Sequence, residues 1–386
     1  MEVYLDNSAT TRPCEQAIAA MTTAMREQYY NPSALYAPAL HVEKELVMAR
    51  KTLAERAGLG EKSVIFTSGG TESNNLAILG YMAGQRREAE VLYSAAEHPA
   101  VKNACVEAAA LRGQTAREIP LTATGSLDLA ALEAMLTEKT ALICVMQVCN
   151  ETGVVMPLAD VAALRDRLAP RAAFHVDGVQ GYLRIPFSLR AAGVQSYAVS
   201  GHKVHGPKGI GALITQEGHR LRPILVGGGQ EGNLRSGTEN TVGIAGFRAA
   251  VESFPETQQV DAQLRELKAQ LVQGLKAAIP EMLVVGEPLE SAASAGHILS
   301  VAFPPVRGET LVHALEAEGV LIGTGSACSS KKGKRSAVLT AMRVPPGQID
   351  ATVRMSLSHQ NTQEEIACVV EKTAKHYALL QKYQRR

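Results

Sequence analysis

Tyr197-Ala198-Val199-Ser200-Gly201-His202-Lys203-Val204-His205-Gly206-Pro207-Lys208-Gly209 opens on a short apolar run and closes on a turn rich in Gly, His and Pro. The run reads as a buried strand, and Lys203 comes just past its end. A lysine held there partly out of water would have its amine pKa lowered and be free to condense with a carbonyl. The alternative is an ordinary solvated loop lysine, the commoner state of that residue.

Outward from this stretch a rhythm is visible. Short apolar runs at 64–67, 91–94, 141–148, 174–176, 197–200 and 211–215 read as buried strands, and helical stretches at 72–82, 127–136 and 159–168 separate most of them. Strands alternating with helices predict an α/β fold with a mostly parallel sheet covered on both faces, whose ligands sit outside the carboxyl ends of the strands. Before the first run, Arg12-Pro13 should precede a helix, Asn31-Pro32-Ser33 breaks the chain, and a helix is expected over 39–57, closed by Gly58. Near Pro255 the character changes. A helical stripe over 261–279 is followed by strand-like runs at 282–285, 298–303 and 353–357, and Thr362 with Glu365 forms a capping box for a last helix. The expectation is a large domain over 15–255 and a smaller α+β domain made of 1–14 plus 256–386.

With 386 residues, 46% of them hydrophobic, the chain can bury a large core. A net charge of +1 gives no electrostatic reason to expect nucleic acid or an anionic membrane as partner. The start, Met1-Glu2-Val3-Tyr4-Leu5-Asp6, lacks the pattern of a signal peptide. The apolar run over 141–146 is far shorter than the about 20 residues a membrane span needs. The six cysteines make no CxxC pair, which argues against disulfides and structural zinc and for a reducing cytoplasm.

Several residues fall at expected strand ends. Thr67-Ser68-Gly69-Gly70-Thr71-Glu72-Ser73 joins a strand to a helix, and its small residues would let backbone N–H groups approach a single phosphate; an ordinary strand-to-helix turn is the alternative. Asp177 ends the strand before that of Lys203, so both belong on one rim. A lysine for a Schiff base, an acid for a pyridinium nitrogen and a helix start for a phosphate are what pyridoxal 5'-phosphate requires. Asp177 as a turn or cap residue is the competing role. His98 is placed to stack on a planar cofactor and shuttle a proton, and Asn150, at a further strand end, to hydrogen-bond a ring oxygen; His175, inside a strand, reads as a satisfied core histidine. Cys328 lies in the flexible run Gly323-Thr324-Gly325-Ser326-Ala327-Cys328-Ser329-Ser330, where a reactive role explains it better than a core role. The basic residues Lys331, Lys332, Lys334 and Arg335 would favour its thiolate. Arg354, a charge within an apolar strand, needs a partner, and a substrate carboxylate is a natural bidentate one.

Together these motifs resemble the cysteine desulfurases (NifS/IscS-like) of the class V aminotransferase group. The likeness runs through Tyr4-Leu5-Asp6-Asn7-Ser8-Ala9-Thr10-Thr11, Thr67-Ser68-Gly69-Gly70-Thr71-Glu72-Ser73-Asn74-Asn75, Glu97-His98, Asn150-Glu151-Thr152-Gly153, His175-Val176-Asp177, Ser200-Gly201-His202-Lys203, Arg235-Ser236-Gly237-Thr238 and Gly325-Ser326-Ala327-Cys328. It implies the fold type I of pyridoxal phosphate transferases. By the same likeness Lys203 would form the Schiff base and Asp177 would meet the pyridinium. Gly70, Thr71, Ser200 and His202 would hold the phosphate, with Thr238 reaching in from a second subunit. Gln180 and Asn150 would contact the ring hydroxyl, His98 would stack, and Arg354 and Asn31, with Asn150 beside them, would bind the substrate. Cys328 would take sulfur from L-cysteine as a persulfide, for a sulfur-acceptor protein in iron–sulfur cluster assembly or thiolation. A shared cofactor site implies a homodimer. Two departures stand out: the basic run after Cys328, and Val148-Cys149 where better-known members have another Asn before Asn150. The alternatives are an aminotransferase, a selenocysteine lyase-type enzyme, or a non-catalytic partner subunit of the same fold.

Overall fold

The computed structural model describes residues 2–325 and 335–383. Cys328, Lys331, Lys332 and Lys334 lie outside the described residues. Seven strands form the main sheet: β2 (Val64–Thr67), β3 (Glu90–Ser94), β4 (Thr115–Ile119), β5 (Thr140–Cys144), β6 (Ala173–Asp177), β7 (Ser196–Ser200) and β8 (Gly211–Thr215). Their spatial order is β2-β8-β7-β6-β5-β3-β4. All neighbours are parallel except those of β8, which runs antiparallel to both β2 and β7. Because β8 reverses twice, β2 again points the same way as β7, and the ends of β2, β3, β6 and β7 share one rim.

Strands β5 to β8 are buried along their whole length, which is why they read as continuous apolar runs rather than alternating ones. The expected runs at 64–67 and 211–215 match β2 and β8 residue for residue. The run at 141–148 stops earlier, at Cys144. Beyond it the chain leaves the ladder and doubles back, with Cys149 donating to Val154 and Met156 to Gln147, around Gly153 at φ 76°. Asn150 therefore sits in a loop rather than at a strand end. Strand β4 at the sheet edge lacks an apolar run and carries no strand signal in the sequence.

Helix Gly70–Met82 is buried on several sides, through Asn74, Leu76, Ala77, Ile78 and Met82 among others, and packs against the sheet. Helix Pro99–Arg112 starts with proline at its first position and His98 as its cap, and ends on Gly113 at φ 63°. Large side chains such as Phe174, Tyr197, Leu92 and Phe247 are almost wholly buried, each contributing about 1.5–3 kcal/mol by removal from water.

A second, antiparallel sheet follows, in the order β12 (Thr352–Ser356), β10 (Ile298–Ala302), β9 (Leu283–Val284). Helix Thr257–Ala278 begins four residues before the expected 261, since its first turn is polar. The final helix, Gln363–Tyr383, has its capping box: Thr362 Oγ1 accepts from Glu365 N (3.3 Å) and Glu365 Oε2 accepts from Thr362 N (3.1 Å). The amino terminus is no loose end. Strand β1 (Val3–Tyr4) pairs with β11 (Val320–Leu321), and Asp6 bridges Ser356. The chain then crosses to the rim of the main sheet. Among the described residues, no helix is long and apolar enough to cross a membrane.

Candidate active site

The rim of the main sheet borders a cavity of about 370 Å³. It is lined by Gly70, Thr71, His98, Asn150, Asp177, Gln180, Ser200, His202, Lys203 and Arg354, ten of the residues singled out from sequence. The structure does not bring Asn31 there. That residue is exposed, and its side chain accepts a hydrogen bond from Ser33 N (2.9 Å) in a local turn. Thr238 is exposed and also lies off the cavity wall of its own chain.

Lys203 stands on the turn after β7, and its ammonium donates to the carbonyls of Ser8 (2.6 Å) and Ala9 (2.7 Å). Burial first, then the guanidinium groups of Arg184 and Arg354, push its pKa down from 10.5 to about 7, against the pull of Asp6 and Asp177. Arg184 is itself buried and donates to the Lys203 carbonyl, so the cation is fixed to the backbone it acts on. The desolvated lysine, rather than the solvated one, is the state the fold imposes.

Asp177 ends β6 with both oxygens engaged: Oδ1 accepts from Val179 N (3.0 Å) and Oδ2 from Asn74 Nδ2 (2.8 Å). At the start of helix Gly70–Met82, Gly69 has φ 152° and ψ −177°, a conformation open essentially to glycine alone. A Cβ on Gly70 would lie 2.7 Å from Val179 Cγ2. The absent side chains leave a cradle of N–H groups at the positive end of a thirteen-residue helix, the setting for a phosphate. Glu72 closes the turn by accepting from Ser68 N (2.7 Å) and pairing with Arg235 (2.8 Å).

His202 holds Thr10 Oγ1 through Nδ1 (3.1 Å), and burial with the nearby Lys203, Lys208 and Arg184 charges lowers its pKa to about 4. His98 uses Nδ1 to accept from Ala100 N (3.1 Å), so Nε2 is the nitrogen left for the cavity; burial lowers its pKa too. Gln180 is oriented from both ends, donating to Ser8 O (2.9 Å) and accepting from Arg184 (3.1 Å). Arg354, 3% exposed, has a partner within the chain: Nη2 meets Asp6 Oδ1 (2.7 Å) and Nη1 meets Asn150 O (2.8 Å).

Two acids in this cavity escaped sequence reasoning, because nothing in a charge alone reports its burial. Glu97 is buried; its Oε1 accepts from Met146 N (2.5 Å) while Oε2 has no partner. Burial, joined by the Asp177 charge, holds its pKa well above 4.5, against the hydrogen bond from Met146 N. Glu151 is pushed up to about 7 by burial, opposed by a 2.5 Å hydrogen bond from Ser336 and by Arg354. By contrast Cys144 and Cys149 are buried with raised thiol pKa values, as inert core cysteines should be.

The residues present suit pyridoxal 5'-phosphate: an amine whose pKa is brought down to about 7, a carboxylate lining the same cavity, and a helix start opened by Gly69 and Gly70. Known proteins agree. The family model Aminotransferase class-V matches residues 3–369. A cysteine desulfurase of Cereibacter sphaeroides is 36% identical over 96% of this chain and 94% of its own. The cysteine desulfurase NifS of Azotobacter vinelandii is 36% identical over 96% of this chain and 91% of its own. Among solved structures, a NifS-like protein superposes with a TM-score of 0.90 at 32% identity, covering 98% of this chain and all of that one. SspA in complex with cysteine gives 0.80 at 28%, over 94% and 100%.

Proposed function

The chain belongs to the class-V aminotransferase family, whose enzymes work with pyridoxal 5'-phosphate, and from that premise we propose that it is a cysteine desulfurase, converting L-cysteine to L-alanine and passing the sulfur on through Cys328. What carries the reading is one juxtaposition: the amine of Lys203, the carboxylate of Asp177 and the guanidinium of Arg354 all face one cavity. When bound, the cofactor draws electrons from the amino acid's α-carbon, so that the Cα–H bond ionises and the Cβ–S bond becomes breakable.

The chain's own residues supply the rest. Gly70, Thr71, Ser200 and His202 would hold the phosphate, with Thr238 of a second copy completing it. Asp177 would pair with the ring nitrogen, His98 would stack on the ring, and Gln180 and Asn150 would meet its hydroxyl. The free-base amine of Lys203 can accept a proton from the substrate at neutral pH. Arg354, oriented by Asp6, would bind the substrate carboxylate. The thiolate of Cys328 would attack the substrate sulfur; an S–S bond forms, the Cβ–S bond breaks, Cβ takes up a proton, and Lys203 returns the α-proton to leave alanine. The products are alanine and a persulfide on Cys328.

The division into 15–255 and 1–14 plus 256–386 belongs to the same proposal, as does the homodimer. Exposed apolar residues including Tyr29, Leu35, Tyr36, Leu225 and Val226 support a second copy as their cover. A sulfur-acceptor protein in the cytoplasm, serving cluster assembly or tRNA and cofactor thiolation, is the expected recipient. The deciding experiment is Cys328→Ala. The variant should stay yellow with bound cofactor yet form no persulfide, with alanine production reduced about 100-fold or more, the scale of a lost nucleophile. Undiminished alanine and sulfide release would overturn the reading in favour of a lyase or aminotransferase.

A further inference from the structure

Behind Asp177 a single file of side chains leads away from the cavity into the core. Asn74 Nδ2 donates to Asp177 Oδ2 (2.8 Å), Asn74 Oδ1 lies 2.9 Å from His175 Nε2, and His175 Nδ1 lies 2.9 Å from Ser196 Oγ. Asn74, His175 and Ser196 are each 1% exposed or less, out of reach of bulk water. They come from three elements: helix Gly70–Met82, β6 and β7.

Each link has only one arrangement that suits an ionised Asp177. A carboxylate accepts and cannot donate, so Asn74 must turn its amide NH₂ toward it. Asn74 Oδ1 then faces His175 and must receive a proton from Nε2. Burial and the nearby His219 hold His175 neutral, its pKa lowered to about 3 against the Ser196 backbone; with its single proton on Nε2, Nδ1 is bare and can accept from the Ser196 hydroxyl. A neutral Asp177 protonated at Oδ2 would set two donors against each other. Relieving that clash requires Asn74 to flip, His175 to exchange tautomers and Ser196 to turn, all together.

We propose that Asn74, His175 and Ser196 are positioning residues that act as a directional relay, aiming the Asp177 carboxylate so that a cofactor ring nitrogen opposite it stays protonated. This rests on the reading of the cavity as a pyridoxal phosphate site. The file of hydrogen bonds fixes the orientation of Asp177 Oδ2 through three buried partners, and His175 becomes more than a satisfied core histidine.

Nitrogen-15 NMR of the cofactor-free protein tests the direction first: His175 should carry its proton on Nε2 and stay neutral from pH 5 to 8, and a proton on Nδ1 overturns the relay. Ring-labelled pyridoxal phosphate in the holoprotein tests the consequence. Its ring nitrogen should be protonated at pH 8 in the parent protein and lose that proton in part in His175→Phe. Cofactor affinity should fall about tenfold in the same variant, the effect of one unsatisfied buried acceptor. His175→Gln, which restores a donor near the Nε2 position, should recover both. If His175→Phe does not fold, Ser196→Ala removes only the last link and should give a smaller shift in the same direction. A ring nitrogen unmoved in every variant, but deprotonated in Asp177→Asn, sinks the relay and leaves the site assignment standing. A parent protein that binds no cofactor sinks the site assignment instead.

Discussion

Lys203 offers the sharpest quantitative test. Its amine is pushed down from 10.5 to about 7, chiefly by burial. At pH 7 about half the molecules would carry a free-base amine, against about one in 3,000 for an unperturbed lysine, a gain of about 1,500-fold in reactive form. At 1.36 kcal/mol per pH unit, the difference between 10.5 and about 7 corresponds to about 5 kcal/mol of destabilisation of the cofactor-free fold wherever the amine would otherwise be charged. The sign follows from linkage. The folded pKa lies below the unfolded one, so the unfolded chain binds more protons between about pH 7 and 10.5, stability rises with pH across that window, and the full deficit is felt below it. Trace labelling with acetic anhydride, read peptide by peptide by mass spectrometry, follows the free base directly. Lys203 in cofactor-free protein should level off above pH 8 with a midpoint near 7, while N-acetyl-lysine amide in the same tube keeps climbing to pH 10. In Lys203→Met the corresponding pH dependence of stability should vanish, a difference of about 2–3 kcal/mol between pH 6 and pH 9. A Lys203 profile parallel to that of the free amine would refute burial and neighbouring cations as the controlling influences.

Three further outcomes are expected. Arg354→Lys keeps the charge but loses the planar fork shared between Asp6 and the cavity, so KM for cysteine should rise about 10- to 100-fold with a smaller change in kcat; an unchanged KM would remove Arg354 from carboxylate binding. Ser336→Ala removes the hydrogen bond that restrains Glu151, so this acid should stay protonated to roughly one pH unit higher, visible as a carboxylic C=O infrared band absent in Glu151→Gln; a band that titrates at the parent pH would contradict the 2.5 Å contact. Glu97→Gln keeps the shape of a buried acid whose pKa is raised well above 4.5, and Tm at pH 7 should move by no more than about 2 °C; a collapse of stability would mean that the fold depends on the carboxylate form of Glu97.

Legibility followed hydrophobic continuity. Strands β5 to β8 are buried on both faces, and their sequences say so; β4 at the edge mixes Arg117 and Glu118 into five residues and says nothing. Helix Pro99–Arg112 went unread despite its proline start and Gly113 stop, because its apolar stripe is weak. At the cavity, Lys203, Asp177, His98 and Gly70 stood out because each ends or follows a strand. Asn150 entered through a strand run read too long, and Asn31 through likeness of motif alone. The partners that tune the site were invisible for a common reason. Ser8 and Ala9 act through backbone carbonyls, and Arg184, Asp6 and Asn74 act across gaps of many residues in sequence, where no local pattern can register them.

The amino-terminal segment has a consequence for biosynthesis. Its first strand pairs with Val320 and Leu321, Asp6 bridges Ser356, and the carbonyls of Ser8 and Ala9 close over Lys203. Residues made first thus wait for partners made last. At usual elongation rates of about 5–20 residues per second, the pocket's roof stays unpaired for roughly 20–70 s on the ribosome, so cofactor loading belongs to the finished chain and the nascent one has reason to keep Val3 and Leu5 shielded until release.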